Sequence, residues 1–419
     1  MDRRTFVRGA ASAASFAFGP GVFDGGRARA QSAPAGGSGQ GAQPNILVIK
    51  VDQLRFPSVF PPGINSADEF LQKFMPNLYQ LWQNGVKFTS HYTAASACTP
   101  ARGTIITGLY SQQSWLVNTI LATPYAPLSP QPWLNPAFPT YGKLLQAIGY
   151  RTPYVGKWHV SIPPAAATRL EAYGFQGQTY YDPTGTNLQG TYGDENDGFH
   201  NDAFIAAQGA GWLLGNGGSG PPWCLTVSFI NPHDKEFYWA GTEFQTYNNL
   251  FPPGGSYGPF TYYSYNQVAN KPPLVTWDED MLKSPDPLGY PAVPPNWEST
   301  EHIAKNKPST QTYARLFQEG VWGGASDDPS QQDFTVAPYP PAPYPQILSK
   351  FGPPLGIAVA PYSYWQRNLD SYTQIMQVTD SAIGTVLSGF TNLPVSVQNN
   401  TVIVFMSDHG EYAGAHGLV

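Results

Sequence analysis

Cys98-Thr99-Pro100-Ala101-Arg102 places one of only two cysteines in the chain directly before a predicted helix. A thiol there faces the positive end of a helix dipole, and Arg102, one turn further on, adds a cation able to hold an anion. Hard donors stand elsewhere: Asp52-Gln53 follows one apolar run, and Asp408-His409 follows another. Two carboxylates and an amide oxygen suit one divalent hard cation, with the imidazole of His409 adjacent. Gly156-Lys157-Trp158-His159 and Asn231-Pro232-His233-Asp234 supply an ammonium and two imidazoles. A metal with Lys and Arg stabilises oxygens that gather negative charge in a transition state. Taken singly, each residue also has a structural reading, because Asp after a strand is a common N-cap and His a common satisfied surface group.

The four polar clusters each end a predicted strand. Asn45 to Val51 (NILVIKV), Tyr150 to Val155, Leu225 to Ile230 and Thr401 to Met406 (TVIVFM) are short apolar runs of buried-strand type. In an open α/β sheet the ligand crevice lies beyond the carboxyl ends of the parallel strands, so the four tips are expected to converge there. Helices fill the gaps: one from Phe74 to Gly85, one from Thr140 to Gly149, and the longest from Tyr364 to about Phe390, with Ile375, Val378, Ile383 and Leu387 available to one face. The fold class is α/β, a large mostly parallel sheet flanked by helices on both faces.

The composition fits a large folded domain. The 419 residues carry 12% charged side chains and a net charge of -6 with no basic block, which argues against nucleic acid as a partner. No run is long and apolar enough to form a transmembrane segment. Residues 1–30 read as a twin-arginine signal peptide: Arg3-Arg4 precede a weakly apolar stretch, and Ala28-Arg29-Ala30 is a small-x-small cleavage site. A disordered basic leader is the competing reading, since Gly19-Pro20-Gly21 interrupts the apolar part. The leader makes the expected location periplasmic or secreted. Residues 31–44 read as a flexible lead-in. Two cysteines give no disulfide framework; Cys224 reads as a small buried residue, with a Cys98–Cys224 bridge as the alternative.

Between about 235 and 361 the sequence turns Pro-, Tyr- and Trp-rich with few clear periods, which predicts a packed insertion over the crevice. Phe237, Tyr238, Trp239, Tyr262, Tyr263, Tyr265 and Trp277 could line a pocket there or simply pack the insertion to the body.

Cys-x-Pro-x-Arg is also the sequence read by the machinery that oxidises a cysteine to formylglycine. With Asn45–Arg55, Cys98–Gly108, Gly156–Val160, Asn231–Asp234 and Ser407–Leu418 in this order, residues 45–419 resemble a type I sulfatase of the alkaline-phosphatase superfamily. The resemblance implies a formylglycine at position 98, made by the formylglycine-generating enzyme, whose hydrated form attacks the sulfur of a small-molecule sulfate ester. Twin-arginine translocase would be the other transient partner. It implies that Arg102 steadies the nucleophile, that Lys157 binds the transferring group, that His159 assists collapse of the covalent ester and that His233 serves the leaving oxygen. It also implies Asp52, Gln53, Asp408 and His409 as metal ligands. Many members have Asp-Asp and Asp-Asn where this chain has Asp52-Gln53 and Asp408-His409. That variant resembles the branch of choline sulfatases and phosphonate monoester hydrolases, with Ca2+ as the expected metal and Mn2+ as the alternative.

The family places a further lysine and a small C-terminal subdomain beyond the stretch matching His416-Gly417-Leu418, and the sequence reads as truncated before both. A phosphonate or phosphate ester hydrolase on the same fold, and a non-catalytic binding protein retaining it, are the two competing functions.

Overall fold

The computed structural model describes residues 43–120, 133–161, 170–177, 179–180, 198–233, 256–257, 260–261, 288–322, 324–333, 335–337 and 357–418. The proposed leader, the lead-in up to residue 42 and the seven aromatic residues singled out between 237 and 277 lie outside them.

Strands β1 (Asn45–Asp52), β2 (Tyr154–Lys157), β3 (Thr179–Tyr180) and β4 (Cys224–Pro232) share the main sheet with β10 (Thr401–Ser407). Between them in the chain are a hairpin, β5 (Ser256–Tyr257) and β6 (Phe260–Thr261), and a small sheet of β7 (Gly324–Ala325), β8 (Thr335–Ala337) and β9 (Ile357–Ala360). The main sheet runs β10-β1-β4-β2-β3 and every pairing in it is parallel. All nine residues of β4 are buried, as expected for a strand covered on both faces.

Helices α1 (Ala67–Phe74), α2 (Pro76–Asn84), α3 (Cys98–Thr107), α4 (Tyr141–Ala147), α5 (Gly198–Trp212), α6 (Thr300–Asn306), α7 (Ser309–Trp322) and α8 (Tyr364–Thr391) complete the framework. On one face, Leu47, Ile49, Val51, Leu225, Val227 and Phe229 pack in one buried cluster with Phe70 of α1, Leu78 of α2, Ile205 of α5 and Met376, Ile383 and Val386 of α8. On the other, Tyr154 joins Ile106 of α3, Trp158 and Phe175 in a second cluster. The two-residue alternation of a strand sends Tyr154 and Val155 into opposite clusters. Ile375, Ile383 and Leu387 are buried as the periodicity predicts, and Val378 is half-buried.

Three sequence expectations change. The helix expected from Phe74 to Gly85 is two: Pro76 cannot donate, so Met75 ends α1 and begins α2, and Phe74 closes the earlier helix. Asp380 of α8 covers the new start, its carboxylate accepting from the N–H of Asn77 at 3.0 Å and of Leu78 at 2.8 Å. The strand expected over Tyr150–Val155 slides toward Lys157, because Arg151 and Pro153 make only isolated bridges. The stretch read as having few periods contains α6, α7 and the small sheet. Both cysteines are free, so the Cys98–Cys224 alternative falls. Among the described residues no helix is long and apolar enough to cross a membrane.

Candidate active site

The strand order brings the tips of β10, β1, β4 and β2 side by side. Val51 pairs with Ser407, so Asp52 and Asp408 leave adjacent strands at the same level. On the other side the register slips: Lys50 pairs with Ser228, but Asp52 pairs with Pro232. That irregularity brings the segment Asn231-Pro232-His233 level with the end of β1. Gly156 has φ of +99° and its α-carbon faces the Ser228 carbonyl, where a Cβ would come within 2.0 Å of the oxygen. Glycine alone lets β2 approach β4 this closely before Lys157.

Cys98 is the first residue of α3, one position inside the helix that the sequence places just after it, with Ala97 extended before it. Its Sγ lies 3.2 Å from His409 Nε2 and 3.5 Å from Asp52 Oδ1. Asp52, Cys98, Asp408 and His409 each present one ligand atom, and these four atoms lie within 4.8 Å of one another, all on buried residues. The expected activated thiol is not what forms. Burial and the neighbouring Asp52 carboxylate push the Cys98 thiol up, and these outweigh Lys157 and a hydrogen bond with His233. That bond nonetheless places His233 beside the thiol.

Arg102 is fully buried and spans the tips. Its Nε pairs with Asp408 Oδ2 at 2.7 Å, its Nη2 with Asp52 Oδ2 at 2.9 Å, and its Nη1 donates to the Lys157 carbonyl at 2.8 Å and to Ser228 Oγ at 3.0 Å. Lys157 Nζ meets Asp52 Oδ2 at 2.5 Å. Burial alone would raise Asp52, but the Lys157 ammonium and Arg102 guanidinium hold its carboxyl well below the usual range. Arg102 therefore steadies the two carboxylates rather than touching the sulfur. Two cations match two carboxylates, so a dication held by them leaves the site positive and receptive to an anion.

His409 donates from Nδ1 to the Gly410 carbonyl at 2.8 Å, since a carbonyl can only accept, and this turns the Nε2 lone pair toward Cys98 and Asp52. Burial would lower His409, but Asp408 and Asp52 outweigh it and raise it. Gln53 has φ of +66°. Its N–H donates to Asp408 Oδ1 at 3.1 Å, and its side-chain amide donates to Glu411. His159 reaches the Ile120 carbonyl through Nε2 at 2.7 Å, while the Ile120 N–H donates to Thr99 Oγ1 at 3.0 Å. His159 is thus tied to the start of α3, and burial with Lys157 keeps its imidazole well below the usual range.

Several supporting residues escaped the sequence reading. Lys50, buried in β1, donates to Tyr154 Oη at 3.1 Å, and that hydroxyl donates to the Lys157 carbonyl at 2.7 Å. Tyr372 of α8 donates to the Gln53 carbonyl at 2.7 Å, and Thr93 Oγ1 to the Asp408 carbonyl at 2.9 Å. Lys50 had a visible signal, a lysine inside the apolar run NILVIKV. Tyr372 and Thr93 had none, because only the fold brings them to the tips.

Residues 44–418 match the Sulfatase family, and the chain belongs to it. Arylsulfatase H of Homo sapiens is 36% identical over 126 residues, which is 30% of this chain and 21% of that protein. A choline-sulfatase of Rhizobium meliloti (strain 1021) is 30% identical over 215 residues, 46% of this chain and 39% of that one. The structure of a 2-O GAG sulfatase superposes with a TM-score of 0.51 at 16% identity, covering 90% of this chain and 60% of the other, a likeness of fold. The chain spans less than two thirds of the length of these relatives.

Proposed function

We propose that the protein is an exported sulfatase that hydrolyses small sulfate esters with a formylglycine made from Cys98 and one divalent cation. The observation that carries this reading is the position of Cys98, at the first turn of α3 and within the donor set of Asp52, Asp408 and His409. The donor set fits a metal: the carboxylates of Asp52 and Asp408 are buried, grouped with His409 and residue 98, and held through their Oδ2 atoms by Arg102 and Lys157. Together with Gln53 these donors favour Ca2+, with Mn2+ as the alternative because of the imidazole. Bound there, the cation would polarise a sulfate oxygen, and formylglycine would supply a hydrated-aldehyde hydroxyl as nucleophile and a second hydroxyl to release sulfate.

The side chains divide the remaining work. Arg102 holds the Asp52 and Asp408 carboxylates in place. Lys157, beside Asp52, adds positive charge toward the sulfate oxygens. We assign to His233, hydrogen-bonded with residue 98, the transfer of a proton to the departing alcohol, and to His159, kept neutral by burial and Lys157, acceptance of one when the second hydroxyl releases sulfate. The sequence Arg3-Arg4 with Ala28-Arg29-Ala30 supports twin-arginine export, for which retention of a reporter fused to an Arg3→Lys, Arg4→Lys leader is the test.

Gln53 and His409 favour one second reading, phosphonate or phosphate ester hydrolysis at the same site. A panel of 4-nitrophenyl sulfate, a phenyl phosphonate ester and a phosphodiester separates the two. The sulfate is expected to turn over fastest, and faster phosphonate cleavage would reverse the assignment.

A further inference from the structure

We infer that the chain carrying an unconverted Cys98 is a zinc-binding protein, with Cys98 Sγ, His409 Nε2, Asp52 Oδ1 and Asp408 Oδ1 as four ligands. The assignment goes beyond the hard-cation site of the working enzyme, and it rests on the proposed conversion of Cys98 only for its consequence.

The four donor atoms are grouped closely enough to serve one ion. Zinc bonds to sulfur, nitrogen and oxygen arranged tetrahedrally separate neighbouring ligand atoms by roughly 3.3–3.6 Å. Here Sγ to His409 Nε2 is 3.2 Å, Sγ to Asp52 Oδ1 is 3.5 Å, Nε2 to Asp52 Oδ1 is 3.4 Å and Nε2 to Asp408 Oδ1 is 3.9 Å. The three contacts among Sγ, Nε2 and Asp52 Oδ1 match that spacing, and Asp408 Oδ1 lies within 4.8 Å of the other three, so one ion can draw the set together with a small shift of the Asp408 side.

The surroundings orient every ligand. Arg102 and Lys157 occupy Oδ2 of Asp52 and leave its Oδ1 toward Cys98 and His409, while Arg102 holds Oδ2 of Asp408 and the N–H groups of Gln53 and His409 orient its Oδ1. The Gly410 carbonyl takes the Nδ1 proton of His409 and presents Nε2. Bonds of this kind fix tautomer and direction at metal-ligating histidines. The helix start fixes Cys98.

The donor types choose the ion. A thiolate and an imidazole with two carboxylate oxygens suit zinc, whereas Ca2+ takes six to eight oxygens and gives sulfur no place. On coordination a zinc–sulfur bond forms and the thiol proton leaves to solvent. Conversion to formylglycine replaces the sulfur by oxygen, so the same three protein ligands pass from a zinc preference to a hard-cation preference. The modification thus sets the metal as well as the nucleophile.

The test uses the full chain with Cys98 confirmed intact by peptide mass, stripped of metal and titrated with Zn2+ against a chromophoric chelator, and separately with Co2+. We expect one equivalent of zinc, and a cobalt form with the intense visible bands of tetrahedral Co2+ and a near-ultraviolet thiolate-to-cobalt band. Cys98→Ser, with its fold checked by circular dichroism, should bind zinc at least about tenfold more weakly and lose that band. Unchanged zinc affinity in Cys98→Ser, or a cobalt form without the thiolate band, would overturn the assignment. His409→Gln gives a second check, expected to weaken zinc to a similar degree. Titrating a sample that carries an aldehyde at position 98 keeps the two readings apart: lost zinc preference there supports the switch, and retained preference contradicts it. Formylglycine dependence of turnover is scored separately and can fail while the zinc result stands.

Discussion

Two groups of charges tie distant parts of this chain together, and they differ in their access to water. At the strand tips Arg102 and Lys157 share Asp52 and Asp408, and all four side chains are fully buried. At the start of α6, Glu298 gathers Lys307 at 2.6 Å, His416 at 3.0 Å and His302 at 3.5 Å, where both histidines are half exposed. The second group pins the loop after β10, since His416 N–H also donates to the Asn296 carbonyl at 2.9 Å. Burying charge costs solvation that only complete pairing restores, so the tip group is intolerant of change and the Glu298 group tolerant. A protein keeps such a dry lattice where a fixed field is needed, and here it lies against Cys98.

Arg102→Met should be the most damaging change, because it leaves buried Asp408 without its cation and Asp52 with Lys157 alone. Denaturant unfolding should show a loss of about 3–5 kcal/mol, with hydrolysis abolished; a loss as small as at Glu298 would erase the distinction. Gly156→Ala comes next, because its Cβ would meet the Ser228 carbonyl at 2.0 Å in a backbone region that favours glycine. It should cost more than about 2 kcal/mol by the same measurement. Tyr154→Phe removes the hydroxyl between Lys50 and the Lys157 carbonyl and should cost about 1–2 kcal/mol in thermal unfolding.

The smallest effect belongs to Glu298→Gln, at most about 1 kcal/mol at neutral pH, because its partners are near water. Its hydrogen bond with Lys307 holds the Glu298 carboxyl at about 2, below its ordinary 4.5. A depressed acid contributes stability above its unfolded value and loses it as pH falls through the folded one. The wild-type advantage over Glu298→Gln should therefore be complete above pH 4.5 and fade toward pH 2, as read from unfolding at a series of pH values. An advantage that grows on acidification would show that Glu298 is not paired in the folded protein.

Much of the site was legible because its residues stand in runs. A strand that ends in Asp52-Gln53 or Asp408-His409 announces both the element and its polar tip, and Cys98-x-Pro-x-Arg announces a helix start. What the pattern could not carry was direction. Arg102 was expected to hold the nucleophile, yet its guanidinium reaches across to two carboxylates, a choice made by the parallel register of β1 and β10. The thiol was expected to be activated by the helix, and burial with Asp52 overrides that. Periodicity likewise ran through Phe74 to Gly85 without registering that Pro76 must begin a new helix.

The proposed aldehyde at residue 98, held in this lattice, is tested by one paired measurement. Protein samples with graded conversion of Cys98, quantified by the mass of the peptide that contains it, are assayed on 4-nitrophenyl sulfate in saturating Ca2+. Turnover should rise in proportion to the aldehyde fraction and be absent in Cys98→Ala. Full turnover in a sample whose Cys98 remains entirely alkylatable would contradict the account.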